Sequence, residues 1–350
     1  MTASRNFPLT ANLFSARRRP GLQRRWVLVA FLCAQSGLGA EVTLTTGVSA
    51  GQNSGHQVLE TGGRFPDLSG FAGGSRLTYP RTFRYGGLRL GLATGPLELG
   101  LHYLTTGWWH DVGQARNEDF TLDLTSTQRQ NGFDPHTYAY RDTAYTISGG
   151  RNFADAKGET RFRWYRTGLS LRVFPWTDET EARAHGWFLA GGLDYSHYKY
   201  RVSDVQQYFE LSGGPFFGPI GIGNSFSNDE LLLSYGVGHR AFLGPLFLEL
   251  RFLLLSGWNE GRDHHVQRAI NFHIRDGLGS GLVTGPRLVY AEESWELSLD
   301  LEFRRYFSIA RLDPDGGIGQ EILRTTFSSG QTVWLSTKET SVELAASVRL

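Results

Sequence analysis

The stretch WELSLDLEFR at residues 295–304 alternates without a break between apolar and polar side chains. A period of two is typical of a β-strand, because successive side chains of a strand point to opposite faces. One face carries a tryptophan, three leucines and a phenylalanine, and the other carries a serine and four charged side chains. We expect a strand of this kind to have hydrocarbon on one side and water on the other.

The same alternation recurs along the chain, in LELGLHYL (97–104), LFLELRF (246–252) and SVELAASVRL (341–350). It is also present at residues 165–173, where Arg166 and Arg172 lie on the polar face. No stretch reaches the roughly eighteen consecutive apolar residues that a membrane-spanning helix requires. A soluble β-sandwich also alternates, but the charges that recur on one face favour a water-facing lumen.

The segments between these strands fall into two lengths that alternate along the chain. The short connections are ATGPL around Gly95, FLGPL around Gly244, AEES at residues 291–294 and a polar stretch at residues 177–183. The long connections lie at residues 52–74, 110–138, 206–226, 259–266 and 310–338. Four short turns and five long loops imply ten strands with both termini on the periplasmic side. The sequence therefore predicts an all-β fold: a ten-stranded antiparallel transmembrane β-barrel over residues 41–350, with long extracellular loops, in the outer membrane of a Gram-negative bacterium.

Residues 1–40 have the features of a signal peptide. Five arginines between residues 17 and 25 precede the apolar core WVLVAFLCA (26–34), and QSGLGA (35–40) supplies the small residues before the cleavage site. The single cysteine, Cys33, leaves with this segment, so no disulfide framework is expected in the exported chain. The leader contains six of the 35 Lys and Arg residues and none of the 34 acidic residues, which leaves a net charge of −5. This balance gives no electrostatic footprint for nucleic acid.

The apolar strand at residues 246–252 is followed by the polar stretch SGWNEGRDHHVQR (256–268). In an extended chain Asp263 and His265 point to the same side and His264 points away. A carboxylate beside an imidazole fixes the tautomer of the ring and raises its basicity, so the histidine can take a proton from water. The alternative is an ordinary solvated loop, in which Asp and His are common. A metal site is not expected, because these residues and His273 lack the spacing of a zinc motif.

Two stretches resemble the omptin family of outer-membrane aspartyl-type endopeptidases. SGWNEGRDHH, followed by RAINF, is similar to the fourth extracellular loop of that family, with Asp263 and His265 on its Asp-x-His dyad and Arg268 on the arginine that follows. TTGWWHDVGQARNEDF (105–120) is similar to the second loop, and Asn117 and Asp119 stand where the family has an Asp-x-Asp pair. Weaker similarities occur in LETGGR, SRLTYP and DYSHYKY, and the whole set lies in the family's order within residues 42–272.

The resemblance implies a water molecule held between the histidine and the opposing acidic pair. His265 would act as the base, Asp263 would orient it, and Asp119 would be one carboxylate of the pair. Asn117 replaces the other carboxylate, and an amide can hydrogen-bond a water but cannot accept or return a proton at neutral pH. Loss of a general acid or base typically lowers a rate by about 10²–10⁴.

The resemblance also bears on substrates and lipid. The family's acids that select Arg or Lys substrates fall near Gly55 or His56 and at Gly261, so no preference for basic peptides is expected. Omptins require lipopolysaccharide, gripped by outward basic residues, and Lys199 matches one such position; no other cofactor is implied. The expected partners are outer-membrane lipid and peptides or proteins at the cell surface. Two other functions stay open: a non-catalytic barrel that serves as an adhesin, binding surface or structural protein, and a small porin, although ten strands generally leave an interior filled by side chains.

Overall fold

The computed structural model describes residues 42–64, 72–121, 136–140, 143–147, 154–176, 184–209, 214–217, 221–266, 269–316 and 331–350. The predicted signal peptide at residues 1–40 and the predicted turn at residues 177–183 lie outside these ranges. The described residues form fifteen strands: β1 Val42–Arg64, β2 Ala72–Pro80, β3 Phe83–Thr94, β4 Leu97–Thr105, β5 His110–Thr121, β6 His136–Tyr140, β7 Thr143–Ile147, β8 Ala154–Val173, β9 Gly186–Phe209, β10 Gly214–Phe217, β11 Ile222–Leu243, β12 Leu246–His265, β13 Ile270–Ala291, β14 Trp295–Gly316 and β15 Gln331–Arg349. Within the same ranges, no helix is both long and apolar enough to cross a lipid bilayer.

The strands close into an antiparallel ring, because β15 pairs with β1 as well as with β14. Strands β2 and β3 pair with successive parts of β1, and β4 and β5 pair with successive parts of β8, so each of these couples occupies one position in the ring. The ring therefore contains twelve strands, not the predicted ten, although they occupy ten positions. The short β10 extends β9, and β6 and β7 form a separate hairpin.

Local chemistry explains the two interruptions. Strand β2 ends at Pro80, whose nitrogen has no hydrogen to donate to a neighbouring strand. Between β4 and β5, Gly107 adopts a φ of +74°, a left-handed conformation that other residues rarely accept and that does not continue a strand. The sequence predicts one strand between the connections at residues 52–74 and around Gly95, where the structure has β2 and β3. It places β5 within the predicted long connection at residues 110–138, which is wrong for residues 110–121.

The strands are about twice as long as a membrane requires. Seven strands of the ring have 20–24 residues, whereas 9–11 residues are enough for a tilted strand to cross the hydrocarbon. Segments predicted as long loops, including much of residues 52–74 and 259–266, are therefore strand. The end of the barrel opposite Val42 and Leu350 projects well beyond the bilayer.

An outward belt of exposed apolar side chains marks the membrane-spanning part. It includes Val48, Leu90, Leu101, Leu169, Leu189, Leu193, Leu233, Val237, Leu250, Phe252, Leu254, Leu297, Leu299, Phe303 and Leu344. Aromatic residues flank it, with Trp187 and Trp295 near the short turns and Tyr195 and Trp258 near the other edge. This belt confirms that the alternating leucines face hydrocarbon.

The apolar face of a strand changes side above the belt. On β8, Leu169 is exposed on the outer face, but Phe162 and Trp164, nearer the long-loop end, are buried in the lumen. Arg161 and Arg163, which alternate with these two residues along the strand, face outward. The barrel is therefore apolar outside at the membrane and apolar inside where it projects into water.

The interior follows the same division. At the level of the belt the lumen holds ion pairs, among them Arg251 with Asp300 at 2.8 Å and Glu302 at 3.0 Å. The projecting half is filled by buried apolar and aromatic side chains: Leu59, Leu77, Tyr79, Phe83, Ala115, Phe162, Trp164, Tyr198, Tyr200, Val202, Phe226, Ile274, Leu312, Val333 and Leu335. The prediction that charged side chains alternate toward the interior is confirmed for Glu249, Arg251, Asp300, Glu302 and Arg304, and each of these five makes an ion pair.

Candidate functional site

Asp263 and His265 lie near the end of β12, on the inner face of the projecting half. Asp263 is 4% exposed and its neighbour His264 occupies the opposite face, as the spacing predicts. The prediction that the pair sits on a loop is wrong. Strand pairing continues here because Asp263 lies opposite Phe226 of β11 on one side and Phe272 of β13 on the other.

The two side chains are in direct contact. His265 Nε2 lies 3.1 Å from Asp263 Oδ2, and the imidazole also packs edge-to-face on Phe272 with ring centroids 5.4 Å apart. Both contacts fix the plane of the ring. The second ring nitrogen, Nδ1, makes no hydrogen bond to any described residue, and the side chain keeps 24% of its surface exposed. A ring held in this way has one nitrogen bound to a carboxylate and one available to water.

The other carboxylate oxygen, Asp263 Oδ1, is buried without a hydrogen-bond partner in the described part of the chain. Other buried oxygens share this condition, among them Tyr79 OH on β2 and Asn224 Oδ1 on β11, and Asn224 lies opposite His265. Burial, and next the charge of Asp263, hold the pKa of Tyr79 well above its usual value, so the phenol stays protonated and remains a donor. A polar site with unfilled donors and acceptors is suited to holding a water molecule.

Asn117 lies on β5, opposite Leu77 of β2, and shares the inward face with Ala115. Its Oδ1 accepts a hydrogen bond from Ser75 Oγ at 2.8 Å, so its amide nitrogen is left to donate into the lumen. No hydrogen bond joins Asn117 to the dyad. The side chain of Asp119, which lies opposite Ser75 in register, and the whole of Arg268 fall outside the described residues.

Most cross-strand neighbours of the dyad are apolar. Phe226 and Phe272 lie opposite Asp263 and Ile270 lies opposite His265, and the polar neighbour is Asn224, also opposite His265. The positions at which the omptin resemblance implies substrate-selecting acids, Gly55 or His56 and Gly261, carry no acid. A Cβ at Gly261 would lie 2.8 Å from Asn228 Oδ1, so the backbone leaves no room for an acidic side chain there without rearrangement.

Lys199 lies on the outer face of β9, just above the belt. Directly opposite it on β8 is Arg163, and the next outward pair along the strands is Arg201 with Arg161. The Arg201 guanidinium lies over the ring of Trp109, 4.2 Å from its centroid. Sequence analysis missed the three arginines, because alternation places each of them outward but does not reveal which residues face one another across β8 and β9.

Residues 64–344 match a protein family described as "Putative porin". In three dimensions the chain is similar to the outer membrane protease OmpT from Escherichia coli, with a TM-score of 0.59 and 9% identity over 90% of this chain and 99% of that one. Similarity is lower to the beta domain of the Bordetella autotransporter BrkA (TM-score 0.33, 10% identity, 87% and 98% of the two chains) and to the translocator domain of the autotransporter NalP from Neisseria meningitidis (0.32, 12%, 94% and 95%). No curated protein sequence matches the chain.

The similarity to OmpT shows a shared fold only, because a sequence identity of 9% does not show a shared activity. The family match covers most of the chain, including the strands that carry the dyad and the belt. The chain therefore belongs to this porin family, and it is a β-barrel of the outer membrane of a Gram-negative bacterium.

Proposed function

We propose that the protein is a cell-surface endopeptidase in which Asp263 and His265 activate a water molecule that attacks a peptide bond. The observation that carries the proposal is the contact between His265 Nε2 and Asp263 Oδ2 on the inner face of the projecting barrel. The resemblance of the flanking sequence to the omptin dyad supports the same reaction class.

In this reaction the carboxylate of Asp263 accepts the hydrogen bond of Nε2–H and leaves Nδ1 unprotonated. Nδ1 takes a proton from water as the water oxygen attacks the carbonyl carbon, and the imidazolium then returns that proton to the leaving amine. The charge of Asp263 stabilises the imidazolium while it exists.

Asn117 would act as a hydrogen-bond donor. Its Oδ1 accepts the hydrogen bond of Ser75, so the amide N–H can donate a hydrogen bond to the attacking water. Asp119 would supply the remaining carboxylate, a role that rests on the resemblance alone. Because Asn117 cannot exchange a proton, we expect a slower enzyme than one with two carboxylates.

The substrate would be an extended peptide with apolar side chains beside the cleaved bond. Three of the four cross-strand neighbours of the dyad, Phe226, Phe272 and Ile270, are apolar. The positions that the omptin resemblance implies for selecting acids, Gly55 or His56 and Gly261, provide no negative charge to bind Arg or Lys. Lipopolysaccharide would bind outside, where Lys199, Arg163, Arg201 and Arg161 form a basic patch at the height of lipid phosphates.

The test is proteolysis by the purified barrel with lipopolysaccharide, read by mass spectrometry on a random peptide library. We expect the wild type to cleave and His265→Ala to be inactive. His264→Ala is the matched control, because His264 lies on the same strand but on the outer face, and it should retain activity. Cleavage that survives in His265→Ala, or a wild type that cleaves nothing, would reject the proposal.

A solute channel is the second candidate, and the family to which the chain belongs favours it. Tyr79 of β2 stacks on Tyr200 of β9 at 4.6 Å, and these strands are not neighbours in the ring, so the contact crosses the lumen. A channel would require this contact to open. Steady conductance across a planar bilayer, together with a wild type that lacks proteolysis, would favour this candidate.

A further inference from the structure

Three basic residues lie side by side on the outer face of β14, β15 and β1. Arg305 of β14 is directly opposite Lys338 of β15, and Lys338 is directly opposite His56 of β1. We call these three residues the basic row. Arg305 and Lys338 are exposed, and the next residues along β14 and β1, Tyr306 and Gln57, are buried on the inner face. The row is therefore part of the outer surface and not of the lumen.

The basic row lies where the outer surface of these strands is still apolar. Phe303, a member of the belt, is the outward residue before Arg305 on β14, and Phe307 and Ile309 are the next two outward residues beyond it. These three side chains are 43%, 43% and 48% exposed. On the neighbouring β13, Leu282 lies opposite Arg305. The row is thus bordered by apolar surface at the edge of the belt, where charges are screened less than in bulk water.

No carboxylate borders the basic row within the described part of the chain. The outward positions directly before and after its members are Phe303, Phe307, Ser336, Thr340, Ser54 and Val58. The row ends at Leu282 of β13 and Pro80 of β2. None of its three side chains makes a hydrogen bond or an ion pair with a described residue. In this the row differs from Arg275 and Arg311, which also face outward but pair with Asp313.

The basic row lowers the stability of the barrel unless an anion lies beside it. Like charges on directly opposite residues destabilise a sheet, because their Cβ atoms are only about 5 Å apart. Lys338 has a basic neighbour on each side, and its charge acts on His56. Since arginine and lysine are cationic at neutral pH, Arg305 and Lys338 repel each other. One anion lying between Arg305 and Lys338 would replace this repulsion by two attractions.

The surroundings of the basic row fit the phosphate of a lipid better than a dissolved anion. Arginine presents a planar fork of N–H groups that matches phosphate oxygens, and lysine adds a point charge. The acyl chains of a lipid would lie on Phe303 and Val342, which are 43% and 46% exposed on the outer face. A dissolved anion would make only the polar part of these contacts.

The basic row is one residue deep along each strand, which fits a single phosphate group. On β8 and β9 two outward basic pairs follow one another, Arg163 with Lys199 and Arg161 with Arg201. That surface can meet a ligand with several phosphates. On β14 the outward position beyond Arg305 is Phe307, which has no charge to offer a second phosphate.

We propose that the basic row binds the phosphate of an anionic glycerophospholipid, with the acyl chains along Phe303 and Val342. Arg305 and Lys338 hold the phosphate between them, and His56 donates a ring N–H to the head group. The site goes beyond the proposed proteolysis and the lipopolysaccharide contact at Lys199. It is separate from both, because β14, β15 and β1 are not neighbours of β8 and β9 in the ring.

The first test is native mass spectrometry of the full barrel in a nonionic detergent, titrated with phosphatidylglycerol. Compared with the wild type, Arg305→Gln with Lys338→Gln should bind this lipid about thirtyfold more weakly, the factor expected for two surface cations that attract an anionic lipid. Lys338→Arg keeps the charge and should bind as the wild type does. The matched control is Arg275→Gln with Arg311→Gln, which removes two outward cations that have a carboxylate partner and should leave the affinity unchanged.

Several results of this titration would overturn the proposal. Equal affinity in the wild type and in Arg305→Gln with Lys338→Gln would show that the row is not the site. Equal binding of dioleoylglycerol, which lacks the phosphate, would show that only acyl chains are held. Inorganic phosphate that binds as tightly as phosphatidylglycerol would indicate a site for a dissolved anion. A lipid-free dimer that disappears in the double variant would assign the row to a second copy of the chain.

The second test is thermal unfolding, which also shows whether the double variant folds. Without lipid, Arg305→Gln with Lys338→Gln should unfold at the temperature of the wild type or above it, because a repulsion has been removed. Phosphatidylglycerol should raise the unfolding temperature of the wild type and of Arg275→Gln with Arg311→Gln, but not that of the double variant of the row. A lower unfolding temperature of that variant without lipid, or equal rises in all three proteins, would contradict the proposal.

Discussion

Arg240 and Glu249 face each other across the hairpin of β11 and β12, with Arg240 Nε 2.7 Å from Glu249 Oε1. Their side chains are 5% and 1% exposed. Glu98 joins them from β4, 2.6 Å from Arg240, and Arg172 of β8 lies 3.6 Å from Glu249. Side chains from four strands therefore close the lumen near the short turns, and each charge there depends on the others for compensation.

Glu249→Gln should lower the free energy of unfolding by about 3–5 kcal/mol, because it leaves Arg240 and Arg172 with one carboxylate, Glu98, in place of two. Urea unfolding followed by tryptophan fluorescence measures this. The control is Arg311→Gln, which removes a partner from Asp313 at a side chain that is 48% exposed. A loss below about 1 kcal/mol is expected there. Similar losses in both variants would show that burial does not set the strength of the lumen pairs.

Asp263→Asn should reduce peptide cleavage by about 10²–10⁴, because a neutral amide no longer stabilises the imidazolium of His265. The measurement is the rate of hydrolysis of the best peptide found in the library. Glu260→Gln, on the outer face of the same strand, should leave the rate unchanged. Loss of activity in both variants would indicate damage to the strand, not to the dyad.

Asn117→Asp should accelerate cleavage by at least about tenfold, because it restores a group that can exchange a proton. Ser75 Oγ–H can donate to the new carboxylate as it does to the amide oxygen. Asn271→Asp adds the same charge on the outer face of β13 and should have no effect on the rate. A decrease in Asn117→Asp would mean that the amide donor is the group the reaction uses.

Replacing Lys199 and Arg163 together by Gln should weaken lipopolysaccharide binding about thirtyfold, since each surface charge contributes about 1 kcal/mol to attraction by an anionic lipid. Binding is measured by co-purification with labelled lipopolysaccharide at low salt. The double change Arg275→Gln with Arg311→Gln, on exposed side chains of β13 and β14, is the control. If both pairs weaken binding equally, the lipid responds to net charge and not to the patch.

The fold class can be predicted from the sequence because every second residue of a membrane-spanning strand faces hydrocarbon and is therefore apolar. Leu297 and Leu299 could be assigned to the outer face from alternation alone, and the exposed belt confirms them. The projecting half could not be assigned in this way. There Phe162 and Trp164 face inward and Arg161 faces outward. The apolar side chains are therefore on the inner face, and the segment no longer has the pattern of a membrane-spanning strand.

Only the part of the candidate site that lies on a single strand could be predicted from the sequence. Two residues apart on one strand, Asp263 and His265 share a face whatever the rest of the barrel does. The role of Tyr79 depends on a contact across the lumen with Tyr200, and the pairing of Glu98 with Arg240 joins β4 to β11. Such relationships are set by register between distant strands, which no spacing in the sequence encodes.

The reversal of the apolar face also fixes the height of the barrel in the bilayer. Sinking by one inward–outward repeat, about 6.6 Å along a strand, would bring Arg163 toward hydrocarbon, and rising by the same step would lift leucines such as Leu193 into water. On strands β8, β9 and β12 the outward side chains change from apolar to polar at this boundary. Each of these strands therefore adds to the free-energy cost of moving the barrel along the membrane normal. Asp263 and His265 are thereby kept at a constant elevation above the lipid, and only molecules that reach that elevation can meet them.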